Sequence, residues 1–352
     1  MPPEIEWISS EAEFAELASG WDRLADGSPF DLHCWYDAWW QAFGAEAEIA
    51  VCTLRREGEL VGVFPLIVVD GELRAMANVH SPSYRPLARD PEALRDLANA
   101  VLAKGGVELC CLPADDDGLA VLVPQVEAAR MTPHVEPTYS SPTVDTSGDF
   151  DAWRASSKKR WGAPLERFRR KMGRDYEAAL TIVEPPSDLD AELRDGYAVE
   201  ASGWKGGAGT AITSSPETEA FYTGVARAFA ARDELRFSRV VLDGETAAFD
   251  FTLLHDRRLY LLKTGFDERF RKLAPGLVMR LSIIEKCFEL GLSSHELLGD
   301  ESEWKSKFAT GSRPHVTLRA YDRGLVGRAR HGYRSVLRPR LRTVYRRLMN
   351  RT

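Results

Sequence analysis

The chain has 352 residues, with 46 lysines and arginines against 53 carboxylates, a formal charge of −7. Hydrophobic residues at 44% and charged residues at 28% exclude wholesale disorder, and no apolar run reaches the roughly 20 residues that a bilayer span needs. The length suits two domains. Five cysteines, Cys34, Cys52, Cys110, Cys111 and Cys287, stand without a CxxC pair. That spacing points to reduced thiols rather than a disulfide scaffold or a zinc site, and no metal is expected. The first residues, Met1 to Glu6, are acidic and lack the basic and apolar regions of a signal peptide, so a cytoplasmic location is expected.

In chain order, residues 4–27 predict an entry strand and an amphipathic helix, with Ser9 or Ser10 as its cap and Phe14, Leu17, Ala18 and Trp21 on one face. Leu32 to Phe43 follows with Trp35, Tyr36, Trp39, Trp40 and Phe43. The spacing predicts a wide apolar helix face, either core or the lining of a groove. Residues 48–79 read as a three-stranded meander with turns at Glu57-Gly58 and Asp70-Gly71, and with Pro65 at a bulge or edge. An irregular loop, His80 to Pro86, carries Tyr84, a candidate substrate contact. A helix over Pro91–Lys104, a strand over Val107–Leu112, a helix over Gly118–Ala129 and extended chain over His134–Val144 complete the first half.

The second half opens on a basic helix, Lys158 to Arg174, which Pro164 kinks or divides. A strand over Tyr176–Val183 and a helix over Asp188–Glu200 lead into Gly203-Trp204-Lys205-Gly206-Gly207. Ser215-Pro216-Glu217 starts the next helix with a cap, a proline and an acid. Strands over Arg236–Leu242, Thr246–Leu254 and Leu259–Thr264 form a meander with turns at Asp243-Gly244 and Asp256-Arg257. Gly265 to Leu277 then opens a helix from Pro275 to Leu290. A strand over Ser294–Leu298, a segment with Trp304, Lys305 and Phe308, and a strand over Val316–Ala320 follow. From Arg323 onward ten arginines stand without a carboxylate, so the body is acidic and the tail basic.

Both halves show one order: helix, meander, loop, helix, strand, helical segment, strand. Strands do not alternate regularly with helices. This predicts an α/β class of the α+β kind, with a mixed sheet in each half rather than a Rossmann or barrel fold. The expected domains are 1–148 and 149–322, with a basic helical tail over 323–352.

The stretch Arg271-Lys272-Leu273-Ala274-Pro275-Gly276-Leu277 lies between a strand and a helix. Unpaired N–H groups of a first helical turn, with the helix dipole, favour an anion there. Set after a meander and before a helix and strand, it resembles the pyrophosphate turn of the GNAT acyltransferases, with alanine at the first small position. Longer wording is similar to the BioF2-like acetyltransferase domain, the group that includes the CelD/BcsL proteins and is related to the Fem peptidyl transferases. The wording is Ser157-Lys158-Lys159-Arg160, Gly203 to Gly206 with Gly209 to Ile212, Phe266 to Phe270, Ala274 to Leu277, and Gly299-Asp300 with Trp304-Lys305. The resemblance covers about residues 150–310 and implies tandem GNAT-like domains. It also implies acyl-CoA or acyl-phosphopantetheine as co-substrate, with no permanently bound cofactor. Arg271, Lys272, Ala274, Gly276 and Leu277 would hold the donor. The first half has no such turn and is expected to be a degenerate platform for substrate or partner.

Acyl transfer to an amine needs a base, a place for an oxyanion and a proton for the thiolate. Three residues are candidates. Asp250, facing away from Phe249 and Phe251, is a base or amine binder, or else an exposed or paired carboxylate. Tyr260 is a proton donor or a packed aromatic. Asp267 orients substrate or caps the turn. Trp204 and Lys205 in their glycine-rich loop, Lys263 beside the turn, and Lys305 next to Trp304 are candidate substrate contacts. The function expected is N-acyl transfer from a thioester, acyl-CoA or acyl carrier protein, to a small-molecule or peptide amine, in natural-product or polysaccharide and envelope biosynthesis. Two alternatives stand: an aminoacyl-tRNA-dependent transferase of Fem type, and a non-catalytic GNAT-like scaffold. A carrier protein or tRNA would meet the basic helix 158–174.

Overall fold

The computed structural model describes residues 3–157, 162–203, 209, 211–321 and 324. The tail beyond 324, Lys158 to Arg160 of the basic helix, and Trp204 and Lys205 lie outside the described residues. Two units divide the chain. The first comprises 1–25, 46–138 and 315–352, and the second 26–45 and 139–314.

The first unit begins with strand β1 (Glu4–Ile8) and helices α1 (Glu11–Glu16) and α2 (Ala18–Asp22). Ser10 caps α1 in a capping box with Glu13, which satisfies two otherwise orphaned N–H groups. The stretch read as a three-stranded meander is five strands in two sheets. They are β2 (Glu48–Ile49), β3 (Val51–Arg56), β4 (Glu59–Phe64), β5 (Leu66–Val69) and β6 (Glu72–Ala75). The division falls at Pro65, which ends β4 and cannot donate to a ladder. One sheet runs β1-β3-β4-β7, with β7 at Leu87–Ala88. The other runs β2-β5-β6-β8, with β8 at Val107–Pro113. Residues 315–320 of β15 (Gly311–Tyr321) pair antiparallel with β8. Helices α4 (Pro91–Leu102) and α5 (Asp117–Ala128) start on Asp90 and Asp116 caps. Leu94, Leu97, Ala98 and Val101 bury one face of α4. Tyr84 is fully buried, and its hydroxyl donates to the Pro65 carbonyl at 2.8 Å.

The second unit takes in α3 (His33–Phe43), because its aromatic face packs on helix α9 (Pro216–Ala231). Trp35 meets Phe221 edge-on at 5.2 Å, so these rings are core rather than groove. The 148/149 division expected from the sequence therefore does not coincide with the units. Residues 26–45 and 139–148 go with the second, and 315–322 with the first. The sheet here runs β10-β11-β12-β13-β14-β9, from β10 (Ala178–Glu184), β11 (Leu235–Leu242), β12 (Glu245–His255) and β13 (Arg258–Phe266) to β14 (Ser294–Glu296) and residues 143–145 of β9 (Thr132–Asp145). All its pairs are antiparallel except β13–β14. That parallel pair spans only Arg258–Tyr260 against Ser294–Glu296, so beyond Tyr260 the strands part.

Of the basic helix expected over 158–174, the described part is α7 (Ala163–Asp175), and α6 (Phe150–Ser157) precedes it. Pro164 stands in the first turn of α7, where its missing N–H costs nothing. Helix α8 (Leu189–Ser202) packs on β12 and β13, and α10 (Pro275–Glu289) packs against α7 and β10 to β14. Gly196 makes the first contact possible, since a methyl there would lie 2.3 Å from the Phe249 ring. A short α11 (Glu303–Phe308) precedes β15. The mixed α/β class is observed.

Candidate active site

The turn Arg271 to Leu277 is built by two local devices. Asp267 caps the 3₁₀ turn Glu268–Leu273 by accepting from the Arg269 N–H at 2.9 Å. Ala274 then takes the left-handed conformation, φ 49° and ψ 49°, and its carbonyl accepts from the N–H groups of Leu277 and Val278, both at 3.1 Å. An alanine there carries a Cβ penalty that glycine would not. Pro275 has no N–H, and the Leu277 N–H is turned back on Ala274. Gly276 supplies the first N–H of α10.

A cleft of about 340 Å³ opens over this turn. Arg271, Ala274, Gly276 and Leu277 form one side, and the end of β13, Thr264 to Phe266, forms the floor. Glu200 and Gly203, at the end of α8, face them. Arg280 and Trp304 complete the lining. Gly265 is required for the close approach of α8: a methyl there would lie 2.6 Å from Glu200 Cα. Gly276 has no such crowding, since a methyl added there would come no nearer than 3.8 Å to the Phe266 side chain.

Behind the cleft lies a buried polar chain. Arg280, 1% exposed, forms an ion pair with Asp250 on β12, itself fully buried. Its Nη1 donates to His295 Nε2 at 2.7 Å, and His295 Nδ1 donates to the Leu259 carbonyl at 2.9 Å. The Trp304 ring lies 5.4 Å from the guanidinium carbon, a cation–π contact. Burial, then the charge of Arg280, pushes His295 down to about 3, so the imidazole is neutral as its bonding requires.

Residues 158–306 match the family model of the acetyltransferase (GNAT) domain. The second unit has a GNAT acetyltransferase fold. No curated protein matches the chain significantly. Among solved structures, the C-terminal domain of a presumed lysylphosphatidylglycerol synthetase from Agrobacterium fabrum is 14% identical with a TM-score of 0.55, covering 88% of this chain and 92% of that one. FemX is 10% identical at 0.55, covering 89% and 96%. The lysylphosphatidylglycerol synthase structure from Bacillus licheniformis is 12% identical at 0.55, covering 90% and 93%. These likenesses concern the fold, over nearly the whole length of each chain.

Within the GNAT unit, the expected donor residues Arg271, Ala274, Gly276 and Leu277 come together at the cleft, whereas Lys272 is exposed and outside its lining. The candidate catalytic trio does not assemble there. Asp250 is held by Arg280 out of reach of solvent, which corrects its reading as base or amine binder. Tyr260 is packed against Phe30, 5.4 Å between ring centres, and its hydroxyl donates to the Gly27 carbonyl at 3.0 Å. Burial pushes that phenol up to about 12. Asp267 is a cap, ion-paired with Arg269 at 2.6 Å, and the guanidinium holds its carboxyl below the usual range.

The substrate candidates fare likewise. Lys263 stacks over the Tyr222 ring at 4.6 Å. Lys305 Nζ donates to the carbonyls of Leu298 and, at 2.9 Å, Asp300, fixing a turn in which Leu298 and Gly299 both have positive φ. Tyr84 is buried in the first unit, where its hydroxyl is already spent on Pro65. Sequence reasoning missed Arg280, His295 and Glu200. Gly276 and Arg280, four apart on one helix face, gave the one available signal.

Proposed function

We propose that the GNAT unit transfers an acyl group from a thioester, coenzyme A or the phosphopantetheine of an acyl carrier protein, to an amine by direct attack. One observation carries this: the turn Arg271 to Leu277 and the free end of β13 border the same cleft. The Gly276 N–H and the exposed Arg271 guanidinium suit the donor's phosphate. Beyond Tyr260, β13 offers an edge to which the amides of a pantetheine arm can pair, with the thioester carbonyl against a backbone N–H. The largely apolar walls exclude water from the thioester. The donor is consumed as co-substrate, and no resident cofactor is invoked.

The first unit is proposed as the platform that presents acceptor or partner. The five cysteines, none of them in a disulfide, suit a reducing, cytoplasmic setting. No helix among the described residues is long and apolar enough to cross a membrane. Isothermal calorimetry with acetyl-CoA, longer acyl-CoAs and acyl-loaded carrier protein tests the reading, and no heat from any of them overturns it.

A second reading, an aminoacyl-tRNA donor, draws on α7. Arg167, Arg170 and Lys171 are exposed on that helix, which packs against the 3₁₀ turn 268–273, with Tyr176 and Phe270 rings 6.1 Å apart. A tRNA held there would dissociate steeply with salt.

A further inference from the structure

We infer that Glu200 is the proton acceptor of the acyl transfer, the group that removes the proton from the attacking amine. This rests on the thioester reading above and adds the residue that activates the acceptor.

Among the described residues lining the cleft, Glu200 is the single carboxylate. It is 1% exposed, and burying a carboxylate is costly unless it is bonded or used. Its Oε2 accepts from the Ile212 N–H at 2.8 Å, which fixes the head group. Its Cα lies against Gly265, and the residue lines the cleft together with Thr264 to Phe266 at the end of β13, the strand whose edge would hold the thioester carbonyl. Of the two carboxylates the sequence pointed to, Asp250 is screened behind Arg280 and Asp267 caps the turn.

The charged and titratable groups around Glu200 come from each element packed on α8. Tyr197 stands on α8 itself, and Tyr222 on α9. Burial raises both phenols, and the Glu200 charge adds to each, so neither competes as a base near neutrality. From β13, Lys263 is stacked on Tyr222. From β12, Asp250 is neutralised by Arg280, which lines the same cleft as Arg271 does.

The step balances as follows. An ammonium acceptor loses one proton to Glu200, which passes it to water, and the neutral amine attacks the carbonyl carbon. The C–N bond forms, the C–S bond breaks, and the second nitrogen proton ends on the departing sulfur. An amide, a thiol and one proton in solution result, with Glu200 again ionised.

The test uses the full chain, with free-thiol release from acetyl-CoA as readout, a panel of primary amines in the mixture and water as residual acceptor. Glu200→Gln keeps an oxygen for the Ile212 N–H. It is expected to bind acetyl-CoA like the wild type, to lose about 100-fold or more in kcat, and to lose the acid-side fall in kcat/KM. Glu200→Asp, which keeps a retracted carboxylate, should retain that fall with a smaller loss and serves if the glutamine variant does not fold. If either folded variant turns over with the wild-type rate and pH profile, or a wild type that binds acetyl-CoA releases no thiol, Glu200 is not the base. A wild type that binds no thioester overturns the functional reading itself.

Discussion

The Asp250 carboxylate and the Arg280 guanidinium form an ion pair in which neither side chain is more than 1% exposed. They stand thirty residues apart in the chain, and packing of α10 on β12 joins them. Removing one partner leaves a bare charge in the interior. Arg280→Met is expected to lower stability by about 3–5 kcal/mol, while the double variant Asp250→Leu with Arg280→Met recovers most of that loss. Urea unfolding of the four proteins of the cycle checks it, and additive losses would contradict the pairing.

His295 gives the unit an acid sensitivity. Its folded value is depressed to about 3 from an ordinary 6.5, so between these limits the unfolded chain binds the additional proton. The contribution of His295 is therefore complete above pH 6.5 and is lost progressively as pH falls toward about 3. A His295→Gln variant should be less stable at pH 8 but show a flatter decline between pH 6.5 and 4. Urea midpoints across that range decide it, and parallel declines would rule out His295 as the cause.

Ala274 holds a left-handed conformation at the head of α10. Ala274→Gly removes the Cβ conflict but loosens the unfolded chain, and a net gain of about 0.5–1 kcal/mol is expected. A thermal shift upward of a few degrees supports this, and a clear loss would show that the alanine methyl packs usefully.

Gly265 meets the backbone of α8 with no room for a methyl. Gly265→Ala should move α8 away from β13, at a cost of about 1–3 kcal/mol, and widen the cleft at Glu200. Tyr260→Phe, by contrast, loses one hydrogen bond to Gly27, about 1 kcal/mol, and leaves kcat unchanged. A large kcat loss in that variant would restore Tyr260 to the chemistry.

What the sequence made legible was local. The turn Arg271 to Leu277 is contiguous, and its proline, small residues and flanking strand and helix are readable in order. The β11–β12–β13 meander was equally plain, because Asp243-Gly244 and Asp256-Arg257 punctuate alternating strands. The roles of Asp250, Tyr260 and Lys305 were not, because each is decided by a distant or backbone partner: Arg280, the Gly27 carbonyl, and the Leu298 and Asp300 carbonyls. Strand alternation put Asp250 on the correct face of β12 but could not say that an arginine waits there. Glu200 had no local mark at all, since only the packing of Gly265 on α8 brings it to the cleft.

The most direct test of a thioester donor in this cleft is a calorimetric titration of acyl-CoA and acyl-loaded carrier protein into the wild type and into Gly276→Trp. Gly276 borders the cleft with space beside it, so an indole there fills the donor's place without clashing with Phe266 at its Cβ. Binding to the wild type that falls by about 1.4 kcal/mol or more, tenfold, in a variant with an unchanged melting temperature is the predicted result. Equal binding by both proteins, or none by the wild type, would contradict it.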